Sequence, residues 1–92
     1  MLKVREPSYS SHFRRDVKRM EKRGHDMTKL RQVLQLLIEV APLPARLRDH
    51  SLKSNWAGYR DLHIEPDWLL IYKLDGENVH FERTGTHSDL FR

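Results

Sequence analysis

The chain has 92 residues, 17 Lys and Arg against 13 Asp and Glu, and a formal charge of +4 with neutral histidines. A polypeptide of this length makes one domain, residues 1–92, that buries only about 60–65% of the surface its unfolded form exposes, so a deep cleft around a small substrate is excluded. Without cysteine there is no disulfide frame, thiolate nucleophile or Cys-based zinc site; with no apolar signal run and no bilayer-length segment, a cytoplasmic protein without membrane association is expected, its basicity favouring a polyanionic partner.

Leu2 to Arg5 reads as a short first strand, and Pro7-Ser8 offers a break and a hydroxyl cap from which a helix starts. Tyr9, Phe13, Val17 and Met20 recur at helical spacing, while Arg14, Arg15, Lys18, Arg19, Lys22 and Arg23 fill the other face before Gly24 ends the run. Asp26 caps a second helix with an apolar stripe of Met27, Leu30, Val33, Leu34, Leu37 and Ile38, so the two read as a helical hairpin. Pro42 and Pro44 stop the second helix and open a long irregular segment, through His50 and Trp56, to Gly58.

From Tyr59 the period becomes two, with Leu62 and Ile64 on one face and Tyr59, Asp61, His63 and Glu65 on the other. Pro66-Asp67 is a turn signal, Trp68 to Leu74 is apolar on both faces except at Lys73, and Asp75-Gly76 marks the next hairpin. Val79 and Phe81 point to the core. Arg83 shares their parity, which predicts a break or bulge near Glu82 that frees its side chain toward the polar face. The expected fold class is α+β: a short strand, a helical hairpin and a three-stranded antiparallel meander packed on the helices, its opposite face left open.

The stretch Phe81-Glu82-Arg83-Thr84-Gly85-Thr86-His87 sets a permanent cation close to a titratable imidazole, a pairing suited to chemistry on a phosphodiester. His50, His63 and Asp67 stand in the preceding polar region. Each has a plainer reading: a solvated strand histidine for His63, loop surface for His50 and His87, a turn residue for Asp67, a surface ion pair with Glu82 or Asp61 for Arg83. Phe91 can stack on a base or plug the core, Trp56 and Trp68 read as packing residues, and His12, His25 and His80 as unremarkable. A zinc site from His50, His63, His87 and Asp67 lacks a compact ligand-pair spacing, so neither metal nor cofactor is expected.

With Arg48-Asp49-His50, Gly58-Tyr59-Arg60-Asp61, His63-Ile64-Glu65-Pro66-Asp67-Trp68, Ile71-Tyr72-Lys73-Leu74 and the Arg83 to His87 stretch with Phe91, the whole chain resembles the YafQ-type toxins of the RelE superfamily of ribosome-dependent mRNA interferases. The resemblance implies a RelE-like fold, cleavage of mRNA in the A site of the 70S ribosome, and inhibition by a cognate antitoxin. It also implies an active site of His50, His63, Asp67, Arg83, His87 and Phe91. Metal-independent RNA cleavage needs a base for the 2′-hydroxyl, an acid for the leaving 5′-oxygen and positive charge for the phosphate, and histidines can supply both proton transfers. The roles expected are His87 as acid, His50 or His63 with Asp67 on the base side, Arg83 on the phosphate and Phe91 on a base. The alternatives are a non-catalytic toxin resembling the ParE group, which binds DNA gyrase, and a plain basic RNA-binding domain.

Overall fold

In a computed structural model, which describes residues 4–91, the chain runs β1 (Glu6–Tyr9), α1 (Ser11–Lys22), α2 (Met27–Ile38), β2 (His50–Ser51), β3 (Arg60–Glu65), β4 (Trp68–Asp75), β5 (Asn78–Gly85) and α3 (His87–Leu90). Two 3₁₀ turns, Ala45–Leu47 and Ser54–Trp56, flank β2. The strands form one sheet in the order β1-β5-β4-β3-β2.

The first strand lies later than its pattern suggests. Leu2 and Lys3 fall outside the described residues, Val4 and Arg5 precede the strand, and Glu6–Tyr9 runs parallel to β5, opposite Asn78 to Phe81. Pro7 fits there because an edge strand can do without one N–H. Tyr9, read as helical, instead stacks on Phe81 with ring centroids 5.4 Å apart. The cap of α1 is Ser10 and not Ser8: its Oγ accepts from Phe13 N at 2.9 Å and donates to the Glu82 carbonyl at 2.6 Å, tying the helix start to β5. Asp26 caps α2 as expected, accepting from Thr28 N. That helix ends before the prolines, where Val40 turns left-handed at φ 57° and the Ala41 amide bonds back to Leu36.

One sheet face carries the main core: Phe13 and Met20 of α1, Leu30, Val33 and Leu37 of α2, and Leu47 close over Leu62, Trp68, Leu70, Tyr72, Val79 and Phe81. Trp68 is fully buried, and its indole N–H donates to Thr84 Oγ1 at 2.9 Å, whose hydroxyl donates on to the Leu69 carbonyl. The expected bulge is present. Tyr72 faces Phe81 but Ile71 faces Arg83, so Glu82 is the extra residue and Arg83 changes face. The strand nevertheless continues to Gly85.

The opposite face is not left open. Leu69, Ile71 and Leu90 form a second, smaller cluster, edged by Leu52, Trp56 and Tyr59, because a strand apolar on both sides has to bury both. The cover comes from the segment read as irregular, which contains β2, and from α3. Asp49 fastens β2: it accepts a bidentate pair from Arg60, with Nη2 to Oδ2 at 2.7 Å, and a further bond from the Tyr72 hydroxyl. Among the described residues no helix is long and apolar enough to cross a membrane.

Candidate active site

Register aligns the chemistry across the second face. His50, Asp61, Ile71 and Arg83 lie on one line running from β2 to β5, and His63, Leu69 and Gly85 on the next. Apolar residues of β4 thus separate a histidine side from an arginine side, with Asp61 and Arg83 two strand spacings, about 10 Å, apart at Cα.

The imidazoles form a row. Ring centroids of His50 and His63 are 6.5 Å apart, those of His63 and His87 5.6 Å, and the Phe91 ring continues the series 6.5 Å beyond His87. His50 and His87 are not in loops as read: the first belongs to β2, and the second opens α3, where Thr86 and Asp89 form a capping box. Asp67, at the β3–β4 turn, accepts from both the backbone amide of His87 at 2.9 Å and its Nδ1 at 2.6 Å, which leaves Nε2 as the ring nitrogen without a hydrogen-bond partner among the described residues. These bonds, the backbone one first, lower the Asp67 carboxyl below its ordinary value. Asp67 therefore sits with the expected acid and not on the base side. His63 has its Nδ1 buried with no hydrogen-bond partner among the described residues.

Arg83 is paired with neither Glu82 nor Asp61. Its Nε and one Nη bind Asp16 of α1 at 2.7 and 3.2 Å, and Asp16 also accepts from Arg19 at 2.8 Å and from the Thr84 amide at 3.1 Å. Arg19 continues to Asp89 at 3.8 Å, and Arg23 holds the same carboxylate at 2.8 Å. A chain of alternating charges thus runs from Arg83 through α1 to the helix that carries His87. Arg23, the amide and hydroxyl of Thr86, and Arg19 hold the Asp89 carboxyl far below the usual range.

A groove of about 520 Å³ adjoins the row, lined by His63, His87, Ile64, Glu65 and Pro66 together with Arg46 and Arg48. The two arginines supply positive charge where a phosphate backbone would pass. Among the described residues no group of three or more His, Asp or Glu is arranged to hold a metal ion. His25 and His80 are engaged elsewhere, with Glu65 and Trp68 and with Ser8 and Glu82 respectively.

Sequence reasoning missed Asp16, Asp61 and the groove arginines as parts of this site. Asp16 is indistinguishable by pattern from the polar residues around it on α1, and only tertiary packing buries it to 4% exposure. For Asp61 a signal existed: it shares strand parity with His63.

Residues 5–92 match the family described as bacterial toxin of type II toxin-antitoxin system, YafQ. The chain is 54% identical over 88 residues to the mRNA interferase toxin YafQ of Escherichia coli strain B / BL21-DE3, covering 95% of this chain and 96% of that protein. The crystal structure of YafQ from E. coli BL21(DE3) superposes with a TM-score of 0.92 at 53% identity, over 96% of this chain and 99% of that one. The toxin in the E. coli DinJ–YafQ complex gives 0.89 at 54% identity, with the same coverage.

Proposed function

The chain belongs to the YafQ family of bacterial type II toxins, and from that premise we propose that it is a metal-independent endoribonuclease that cleaves mRNA on the ribosome and is silenced by a cognate antitoxin. The observation that carries the proposal is the imidazole row with Asp67 on the inner nitrogen of His87. A protein that acts by binding gyrase has no use for such a row, whereas RNA cleavage uses it directly.

In this reading His50 or His63 takes the proton of the 2′-hydroxyl as it attacks the adjacent phosphorus. The P–O5′ bond breaks, and His87 donates its Nε2 proton to the departing oxygen while Asp67 holds Nδ1 and steadies the imidazolium state. Each such transfer contributes about 10²–10⁴-fold. Arg83 has a second Nη not spent on Asp16, suited to an equatorial phosphate oxygen. Phe91, 39% exposed at the end of the row, offers a face on which a base can stack. The products are a 2′,3′-cyclic phosphate and a 5′-hydroxyl, with no cofactor consumed.

The groove is open to solvent on one side, so the protein alone encloses RNA poorly. The A site of the 70S ribosome supplies the missing enclosure, in the cytoplasm, and presents one mRNA nucleotide step at a time. The co-structure of E. coli YafQ with DinJ supports a dedicated protein inhibitor here as well. The test incubates purified protein with a defined mRNA, with and without 70S ribosomes and with and without the product of the neighbouring reading frame, and maps 5′ ends. Cleavage only with ribosomes, suppressed by that partner, is expected; equal cleavage of free RNA contradicts the ribosome requirement.

A further inference from the structure

We propose that Asp89, gripped by Arg23 and Arg19, is a positioning residue: it fixes the helix that carries His87 to the same helix that holds Arg83 through Asp16, so that the proton donor and the phosphate-binding cation keep one spacing. The kinetic half of this inference rests on the RNA-cleaving reading; the grip itself does not.

α3 is four residues long, too short to keep a helical shape by itself. Its tie to Asp67 is exposed, with the His87 and Asp67 side chains at 54% and 66%, and exposed pairs hold weakly. Asp89 projects from nearly the opposite side of the turn, because two residues of helix advance about 200°. Its side chain is only 14% exposed. Oδ2 accepts from Arg23 Nη1 at 2.8 Å and from the Thr86 amide at 2.9 Å, and Oδ1 accepts from Arg23 Nη2 at 3.3 Å. A two-pronged grip sets the plane of the carboxylate as well as its distance, so α3 is kept from turning as well as from sliding. Gly85 makes room for this arrangement: its backbone is not left-handed, and a side chain there would meet the Asp89 carboxylate.

The other end of the link is Arg83. Asp16, which holds it, shares one face of α1 with Arg19 and with Arg23 at the C-cap, at spacings of three and seven residues. Arg19 lies between the two carboxylates, 2.8 Å from Asp16 and 3.8 Å from Asp89. Its Nε is buried with no partner among the described residues, a desolvation cost that speaks against a purely stabilising role. What Arg19 adds is a charge that bridges the two acids. α1 thus sets the spacing of the groups that act on the phosphate and on the departing oxygen, and a displacement of about 1 Å at such a site costs about 10²-fold in rate.

The test has two arms. Arg23→Met removes the grip but leaves the bonds between Thr86 and Asp89, and Lys22→Met removes the same charge from an exposed neighbour outside the grip. Without RNA, hydrogen exchange read by NMR follows the amides of His87 and Phe91, which bond to Asp67 and within α3. They should exchange about tenfold faster in Arg23→Met and at the ordinary rate in Lys22→Met, with Tm changed by less than about 4 °C in both. With programmed ribosomes, the single-turnover cleavage rate at saturation should fall by about tenfold to a hundredfold in Arg23→Met, while the half-saturating ribosome concentration changes by less than about twofold. Arg23→Lys, which keeps a charged donor, should recover most of the loss, and Arg19→Met should slow cleavage in the same way as Arg23→Met. A raised half-saturating concentration with an unchanged saturated rate would make Arg23 a ribosome contact and overturn the proposal, as would an equal loss in Lys22→Met. Unchanged exchange in Arg23→Met overturns the grip. If the unmodified protein cleaves no RNA, the proposed function fails while hydrogen exchange still decides whether Asp89 pins α3.

Discussion

Replacing Asp16 by Ala removes the acceptor for four donors at once: Nε and Nη of Arg83, Nη of Arg19, and the buried amide of Thr84. An unpaired buried amide costs about 1–3 kcal/mol, and breaking a buried charge pair about 3–5 kcal/mol. The second figure has to be discounted, because the Arg83 side chain is 20% exposed and that of Arg19 39% exposed, so water recovers part of each cation's solvation. A net loss of about 3 kcal/mol is expected, which in a domain of this size lowers Tm by about 12–24 °C without unfolding the protein at 25 °C. Asp16→Asn keeps an acceptor for the amide and should lose only about 1–2 kcal/mol. Both variants release Arg83, so cleavage should fall in both by a similar factor although stability does not. Urea titration followed by circular dichroism gives the first quantity and ribosome-dependent cleavage the second. A stability loss below about 1 kcal/mol in Asp16→Ala would show that the cluster is solvated and does not organise Arg83; unchanged cleavage in Asp16→Asn would show that Arg83 works without its anchor.

Gly85→Ala places a Cβ 2.9 Å from Asp89 Oδ2 and 3.0 Å from Asp89 Cβ, and that carboxylate is braced by Arg23 and Thr86, so α3 has to shift and carry His87 with it. We expect about 1–3 kcal/mol of destabilisation with a larger proportional loss of cleavage, and full activity would refute the bracing. The Asp67 carboxyl is lowered in the folded state, so its tie to His87 is complete above the ordinary value of 3.8 and is lost as pH falls through the folded value beneath it. A ¹³C titration with its midpoint at or above 3.8 contradicts that tie. The net charge of +4 leads us to expect that the antitoxin meets this chain through an acidic segment, so their association should slow as ionic strength rises; a rate constant independent of salt argues against steering.

Local chemistry explains why much of the fold is legible in the chain. The Asp26 cap, the apolar stripe of α2, the alternation in β3 and the bulge at Glu82 all follow from residues within a few positions of one another. The bulge was readable because Arg83 stands at a core parity that no charged residue can occupy unpaired. What escaped depends on distant partners. The first strand is set by pairing with β5, some seventy residues away, and β2 is only two residues long and is fastened by Asp49, Arg60 and Tyr72. The same holds for the site. The imidazoles are visible as residues, but that Asp67 belongs to His87, that Asp61 lies under His50 and that Asp16 anchors Arg83 are consequences of register and burial, which one sequence does not display.

The most direct measurement of the central claim uses programmed ribosomes carrying an mRNA with 2′-deoxyribose at the nucleotide whose 2′-oxygen would attack. The magnesium that ribosomes need is kept constant, so that only the substrate changes. The unmodified message should be cleaved to a 2′,3′-cyclic phosphate and a 5′-hydroxyl, while the deoxy message binds, competes and stays intact. Cleavage of the deoxy message at the normal rate would mean that the nucleophile is not the 2′-hydroxyl and that the imidazole row does not perform this chemistry.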